Sequence, residues 1–241
     1  MTPQEFSIEF DILYNNLASN AAPPINEYEK SVLLTKAQSD IVLELYSGRN
    51  QLGISFESNE EARQYLKILI VKASVNLNES TPTKCNNYSR YTIDKDWRSS
   101  VLFSIKEEIE STTDKGTESV INTYPVVPIS TDTLESTIKN PFKGPKKNRR
   151  AIITDTEQGS SYLYVDTASD NCTYNEWYIR YPYPIILPKI EEEGITVGDT
   201  ECAEYKEEGL SCELPKSLHY AILERAVQLA KMAYIGGQKQ E

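Results

Sequence analysis

The stretch ELPKSLHYAILERAVQLAKMAYIGG, residues 213–237, carries the clearest helical pattern of the chain. Pro215 suits the first helical turn, where its missing N–H costs nothing, and Gly236 with Gly237 is typical of a helix end. The apolar stripe between them is wider than a coiled-coil seam and contains Leu218, Ile222, Leu223, Ala226, Val227, Leu229, Ala230, Ala233 and Tyr234. The pattern predicts a closing helix over 215–237 that other elements cover on most sides.

The N-terminal part of the chain predicts three more helices. TPQE at residues 2–5 reads as a capping box, Asn26 caps a second helix, and Ser58 with Glu61 caps a third. The apolar residues at helical spacing are Phe6, Phe10, Leu13, Tyr14 and Leu17, then Val32, Leu33, Ala37, Ile41 and Leu45, then Ala62, Tyr65, Leu66, Leu69 and Ala73. Residues 1–75 are therefore predicted to form a helical module.

Residues 76–214 have a different pattern. The segment 76–87 is polar and turn-rich, and after it the apolar period changes from 3.6 to 2, with Val101, Phe103, Ile105 and Ile109 on one face of a strand. Further strands are expected at 149–155, 161–167 and 176–181, and a short helix at 131–139. We expect an α+β fold in which a small antiparallel sheet follows the helical module and the closing helix packs back on one of them.

Aromatic residues concentrate in the last two predicted strands and just beyond them. About half of these side chains are expected in the sheet core and the rest at interfaces: Tyr162, Tyr164, Tyr174, Trp177, Tyr178, Tyr181 and Tyr183.

The composition limits the classes of partner. A net charge of −11 over 241 residues argues against wrapping DNA or binding an anionic membrane through a basic face. No run of about eighteen apolar residues occurs, and MTPQEFSIEF lacks the basic and apolar parts of a signal peptide. The sequence thus predicts no membrane partner and no Sec-dependent export.

No catalytic, cofactor or metal site is predicted. His219 is the only histidine, it has no identifiable nucleophile or carboxylate partner, and it is expected on the helix surface or at an interface. Phosphate-binding glycine loops and the G-x-S-x-G elbow do not occur. The cysteines form no C-x-x-C pair and are expected to be reduced: Cys85, Cys172, Cys202 and Cys212.

Two charged stretches are candidate interaction sites. Residues 140–150, NPFKGPKKNRR, form a basic loop containing Lys143, Lys146, Lys147, Arg149 and Arg150. Such a loop is typical of a solvated surface, of contact with an acidic partner such as a neighbouring copy, or of contact with nucleic-acid phosphate. Residues 190–213 carry nine acids against one lysine and predict a mobile acidic arm, whose candidate interface residues are Glu191, Glu192, Glu193, Glu207 and Glu208.

The basic loop, the hairpin after it, EWYIRYPYPIIL at 176–187 and CELPKSLHYAILERAVQLAK at 212–231 together resemble the head-to-tail connector (neck ring) proteins of crAss-like tailed bacteriophages. MTPQEFSIEFDILYNN and NEYEKSVLLTKAQ resemble the opening helices of the same family. The resemblance implies a non-enzymatic virion protein, made in the host bacterial cytoplasm, that forms a closed homomeric ring, commonly twelvefold. It supplies no catalytic, cofactor-binding or metal residues.

The expected partners are copies of the same chain, the portal, neighbouring neck or tail ring proteins, and DNA in transient non-specific passage. An acidic conduit suits that passage, because cations facing phosphate would slow it. Ring closure needs two different patches on each subunit, and the basic loop and acidic arm are candidates for them. The residues themselves leave open a non-catalytic scaffolding or host-interaction protein, and an enzyme with an unrecognised site.

Overall fold

Helices and strands are grouped in two units within the residues that the computed structural model describes: 1–17, 24–49, 55–77, 82–85, 88–115, 118–146, 149–155, 160–166, 172–188 and 209–238. The helical unit comprises Met1–Leu69 and Pro182–Glu241, and the sheet unit comprises Ile70–Tyr181. The chain enters the sheet unit at Ile70 and leaves it after Tyr181. These two points lie on neighbouring strands, since Ile70 pairs with Ile179. The mixture of helices and strands confirms the predicted α+β class.

The helices are α1 (Pro3–Leu17), α2 (Glu27–Ser47), α3 (Glu60–Leu66), α4 (Leu134–Lys139) and α5 (Lys216–Gln238), of which α4 belongs to the sheet unit. The predicted capping box of α1 is present, since Glu5 N–H donates to Thr2 Oγ1 at 3.2 Å and Thr2 N–H donates to Glu5 Oε2 at 2.9 Å. Asn26 and Glu29 form the same arrangement on α2. Both predicted helix starts are confirmed.

The core of the helical unit lies where α5 packs against α1 and α2. Its buried apolar side chains include Phe6, Phe10, Tyr14, Leu34, Ala37, Val42, Ile222, Leu223, Ala226, Val227 and Ala230. Burying a large apolar side chain is worth about 1.5–3 kcal/mol relative to exposure, so this face supplies a large part of the stability of the unit.

The closing helix differs from the prediction at its end and along one edge. The glycines at 236–237 lie inside α5, which continues to Gln238. Leu229 is only partly buried and Ala233 is exposed. Both residues flank the two inward i, i+4 rows, which are Leu218, Ile222, Ala226 and Ala230, and His219, Leu223 and Val227.

Two polar side chains are buried on α2. The Lys30 ammonium, 3% exposed, pairs with Asp11 Oδ2 at 2.7 Å and Glu27 Oε1 at 2.8 Å. Burial would lower the pKa of Lys30, but these bonds outweigh it, and the pKa is raised. Gln38 Nε2 donates to the Tyr183 carbonyl at 2.8 Å. The Lys30 ammonium and the Gln38 amide nitrogen are thereby hydrogen-bonded, whereas Gln38 Oε1 and Glu27 Oε2 are buried without a hydrogen-bond partner among the described residues.

The buried face of α2 differs from the predicted apolar stripe. Val32, predicted to face inward, is 50% exposed, and Leu33 is only partly buried. Leu34 and Val42 are fully buried instead. The inner face therefore includes polar positions that an apolar count cannot recognise.

The segment 182–188 runs along α2 and shares several hydrogen bonds with side chains of this helix. The Thr35 hydroxyl accepts from the Ile185 N–H at 3.1 Å and donates to the Ile185 carbonyl at 3.3 Å. Three side chains spaced along one face of α2 bond this segment: Ser31, Thr35 and Gln38.

The third helix is shorter than predicted. Its N-cap is Asn59, whose Oδ1 accepts from the Glu61 N–H at 2.7 Å, and Ser58 bonds to Ser55 instead. After α3 and a 3₁₀ turn the chain enters a strand at Ile70–Asn76, so the predicted helical residues 70–75 are wrong. β-Branched residues in this segment favour the strand, and a partner strand far along the chain stabilises it.

The strands are β1 (Ile70–Asn76), β2 (Thr83–Cys85), β3 (Tyr88–Ile93), β4 (Val101–Lys115), β5 (Glu118–Pro128), β6 (Ala151–Asp155), β7 (Ser161–Asp166) and β8 (Cys172–Arg180). They form one sheet in the order β1-β8-β4-β5-β6-β7-β3-β2. Neighbours are antiparallel except β5 and β6, which are parallel over 126–128 and 151–153. The sheet is therefore larger than predicted and is not purely antiparallel.

The predicted strands at 101–109, 149–155, 161–167 and 176–181 correspond to β4, β6, β7 and β8, and the short helix at 131–139 is present as a 3₁₀ turn and α4. The strands β1, β2, β3 and β5 were not predicted. Of the aromatic residues, Tyr164, Tyr174 and Tyr178 are buried, whereas Tyr181 and Tyr183 are exposed.

Candidate interaction surface

The basic loop predicted at residues 140–150, called the basic turn below, lies in the connection between the parallel strands β5 and β6. Parallel neighbours need a crossover, which here runs through a 3₁₀ turn and α4. Asn140 Oδ1 accepts from the N–H groups of Phe142 at 2.8 Å and Lys143 at 3.3 Å. The Gly144 N–H donates to the Asn140 carbonyl at 2.9 Å. These bonds hold the tip of the turn in one conformation.

The cations of the basic turn differ in their exposure to solvent. Lys143 and Arg149 are exposed, and Lys146 and Arg150 are half-buried. The Lys146 N–H donates to the Arg150 carbonyl at 3.0 Å, and the Lys146 ammonium lies 5.7 Å from the centre of the Phe142 ring. Within the described part of the chain these four cations make no ion pair with a carboxylate. Lys147 lies outside the described residues.

The candidate acids all lie outside the described residues: Glu191, Glu192, Glu193, Glu207 and Glu208. Of the acidic arm at 190–213, below called the acidic segment, the structure describes residues 209–213. There Leu210 forms an isolated antiparallel bridge with Ile186, which lies just before the segment. Beside it, Glu213 Oε1 accepts from the Tyr183 N–H at 2.8 Å. The base of the segment is therefore fixed on the helical unit.

A cleft opens in the sheet where β4 and β5 separate. Their ladder ends at the pair Glu108–Pro125, and proline has no N–H to continue it. β5 then pairs with β6, while residues 101–107 of β4 pair only with β8 in the described part of the sheet. The gap is a cavity of about 740 Å³.

The side of the cleft formed by β4 and β8 carries a buried polar cluster. Lys95 pairs with Glu176 at 2.9 Å, and both side chains are less than a tenth exposed. Trp97 Nε1–H also donates to Glu176, at 3.1 Å, and the Tyr174 hydroxyl donates to Glu107 Oε2 at 2.8 Å. Burial, with both carboxylates close, raises the pKa of Tyr174, so its hydroxyl stays protonated and remains a donor.

Glu107 lines the cleft without a cationic partner of its own. Burial raises the pKa of Glu107, and Lys95 and the Tyr174 hydroxyl only partly oppose that effect. Among the described residues no Lys or Arg lies within ion-pair distance of Glu107, because Lys95 is bonded to Glu176. The Glu107 carboxylate therefore retains acceptor capacity toward a cation that enters the cleft.

Sequence alternation did not reveal this position. Irregularities in the β4–β8 ladder fall between Val101 and Phe103 and between Ser104 and Lys106. As a result Ile105, predicted to face inward with Ile109, is 36% exposed. A bulge of this kind re-aims side chains at a cleft, and it leaves no mark in the apolar pattern.

His219 is buried inside the helical unit, so the prediction of a surface histidine is wrong. Its Nδ1 accepts from the Met1 amino group at 2.8 Å, and its Nε2–H donates to the Leu214 carbonyl at 2.9 Å. The first bond needs the neutral imidazole, because an imidazolium has no lone pair on Nδ1 with which to accept. Burial lowers the pKa of His219; the Leu214 carbonyl opposes that effect, and the positive charges of Met1 and Lys216 add to it.

The two cysteines whose side chains are described, Cys172 and Cys212, are buried thiols that form no disulfide. Burial raises the pKa of Cys212 to about 11, which keeps its thiol protonated. No helix in the described part of the chain combines the length and apolar composition needed to cross a bilayer.

The chain matches known phage proteins over its whole length. The family model for phage tail ring protein 3/4 matches residues 1–241. Ring protein 4/5 of Bacteroides phage crAss001 is 35% identical over 241 residues, which cover 98% of this chain and 94% of that protein. Ring protein 3 of the same phage is 35% identical over 240 residues, 95% of each chain. These matches confirm the resemblance found in the sequence, and the chain belongs to the phage tail ring protein 3/4 family.

Proposed function

We propose that this protein is a non-catalytic virion subunit that assembles with copies of itself into a closed ring in the phage neck or tail. The observation that carries the proposal is the family match over residues 1–241, together with two relatives that are named ring proteins. In the ring we place the subunits around the DNA conduit between portal and tail, with twelve copies as the working stoichiometry. Neighbouring ring proteins and the portal are the further partners.

The charge distribution supports a conduit. A net charge of −11 keeps phosphate contacts weak, so DNA slides past without being held. A head-to-tail ring also needs two different surfaces on each subunit. The basic turn provides one of them, since its described cations are not neutralised by carboxylates in the described part of the chain.

We assign the basic turn to the subunit interface, where it meets an acidic surface of an adjacent copy. The acids at 191–193 and 207–208 are the proposed counterparts by charge. Exposed ion pairs are worth only about 0–1 kcal/mol each, so several pairs must act together. Salt screens them over about 8 Å at physiological ionic strength.

The test compares two variants of equal charge change. In the first, Lys146, Lys147, Arg149 and Arg150 become glutamine; in the control, four exposed cations of the helical unit become glutamine: Lys36, Arg49, Arg63 and Lys67. We expect only the first variant to assemble poorly at low salt, whereas assembly of wild type and control should weaken as salt rises, because salt screens the ion pairs that the first variant lacks.

Particle assembly and DNA retention separate the possible outcomes. Normal, salt-resistant particles that lose their genome would contradict the interface and favour contact between the turn and DNA. A wild-type protein that stays monomeric in light scattering at high concentration, and in the presence of the portal, would contradict ring assembly and favour a scaffolding or host-interaction role.

A further inference from the structure

Phe142 is the most exposed large hydrophobic side chain in the described part of the chain, at 79%. A single exposed apolar residue is ordinary on a protein surface. Phe142, however, stands at the tip of a turn whose backbone is fixed by the Asn140 side chain. It is followed directly by the exposed Lys143. A rigidly presented aromatic ring beside a cation is typical of an interface anchor, because little entropy is lost when it binds.

The cleft between β4 and β5 has the complementary character. Its walls include the apolar side chains of Val101, Ile105, Val126, Ile129 and Ile153, and they also carry three cations and three carboxylates: Lys95, Arg98, Lys106, Glu107, Asp155 and Glu176. Glu107 lies among them and has no cation within ion-pair distance in the described residues. A volume of about 740 Å³ falls in the usual range for pockets that enclose a bound group.

The two features each lack what the other has. Among the described residues, the basic turn presents an exposed aromatic ring, Phe142, and a lysine, Lys143, that forms no ion pair. The cleft offers apolar side chains and, in Glu107, a carboxylate that forms no ion pair with its own Lys95 or Lys106, because these pair with Glu176 and Glu108. Both belong to the sheet unit of one chain, so a contact between two copies would join different surfaces. Such a head-to-tail contact generates a ring when the rotation closes.

We propose that the tip of the basic turn of one copy inserts into the β4–β5 cleft of the next copy. In this contact the Phe142 ring packs between the apolar walls, and the Lys143 ammonium pairs with Glu107. The inference rests on the proposed ring assembly and names the surface that receives the turn.

A double-mutant cycle on subunit association tests the contact. Phe142→Ala is expected to weaken association about 30-fold or more, as loss of a buried aromatic anchor does. Glu107→Gln keeps an acceptor for the Tyr174 hydroxyl and removes only the charge, and it should weaken association about 5-fold to 10-fold. Combined, the two changes should cost less than the product of the single effects, because both act on one contact.

Met232→Ala is the matched control, since Met232 is 69% exposed on α5 and lies outside the proposed contact. It should leave association unchanged. Melting temperatures of all variants within about 2 °C of wild type would exclude unfolding as the cause.

Cross-linking gives an independent readout. A Phe142→Cys variant mixed with an Ile105→Cys variant should form a disulfide-linked dimer under mild oxidation, whereas neither variant alone should form one. Rings that tolerate Phe142→Ala, with no dimer from the mixture, would overturn the inference and leave ring assembly standing. Wild-type protein that forms no ring at any concentration, with or without the portal, would overturn both.

Discussion

Ile186 and Leu210 exchange two backbone hydrogen bonds, with N···O distances of 2.9 and 2.7 Å, and so close the base of the acidic segment. Gly209, next to this bridge, has a backbone φ of +74°, which residues other than glycine rarely adopt. A Cβ at that position would lie 2.5 Å from the Ile186 carbonyl oxygen. The bridge therefore depends on glycine at this position.

We predict that Gly209→Ala lowers the free energy of unfolding by about 1–3 kcal/mol, through backbone strain and the contact with the carbonyl. Urea denaturation measures this change. Gly144→Ala is the comparison, because a Cβ at Gly144 would lie 3.1 Å from the nearest backbone oxygen and its φ is not in the strained range, so a smaller loss is expected. Equal stability of Gly209→Ala and wild type would show that the bridge is not needed.

Removal of the Lys30 charge should destabilise the helical unit. Lys30→Met leaves the Glu27 carboxylate, which is 18% exposed, without its cation, and this costs about 1–3 kcal/mol. The double variant Lys30→Met with Glu27→Gln should recover part of the loss, because the unpaired carboxylate is gone. Chemical denaturation of the two variants provides the comparison, and a single variant as stable as wild type would refute the prediction.

α5 offers a matched pair of substitutions on opposite faces. Ile222 is fully buried, and Tyr220 is 58% exposed. Ile222→Asp should unfold the protein or leave it aggregated, since a buried unpaired carboxylate costs several kcal/mol. Tyr220→Asp should change stability by about 0.5 kcal/mol or less. Soluble Ile222→Asp protein with an unchanged melting temperature would contradict the assigned face.

The buried His219 predicts a dependence of stability on pH. Its pKa in the folded protein lies below the unfolded value of about 6.5, so the unfolded chain binds more protons between the two values. The contribution of His219 is therefore complete above about pH 6.5 and is lost as pH falls through the folded pKa. Melting temperatures should drop from about pH 7 to about pH 5, and less so in His219→Gln.

Comparison of the two proteins at each pH isolates the histidine, because their carboxylates titrate alike. If the melting temperatures of the two proteins change in parallel with pH, the pKa of His219 is the same in the folded and unfolded chains, and the prediction is wrong.

Local signals predicted the helix starts well, but they failed where distant partners decide the structure. The capping residues of α1 and α2 act within one turn, so the sequence alone identifies them. Residues 70–75 fit the helical period of α3, yet they pair with strand β8 about a hundred residues later. Similarly, Lys30 can be buried because its ammonium group forms ion pairs with Asp11 and Glu27.

The candidate surface was predictable in part for the same reason. The cations of the basic turn are consecutive in sequence, so composition revealed them. The cleft depends on the point where β4 and β5 separate, and β5 itself was hidden by Pro125 and Pro128. Glu107 looks like any charged residue of a half-exposed strand until the bulges in β4 place it beside the cleft.

The division of the chain has a consequence for its synthesis. The sheet unit is continuous in sequence, whereas the helical unit needs Met1–Leu69 and the much later Pro182–Glu241. On the ribosome the eight strands of the described residues emerge before α5, which provides much of the buried face of α1 and α2. We expect the sheet of the nascent chain to form first. The apolar faces of α1 and α2 stay exposed until α5 has been synthesised and packs against them.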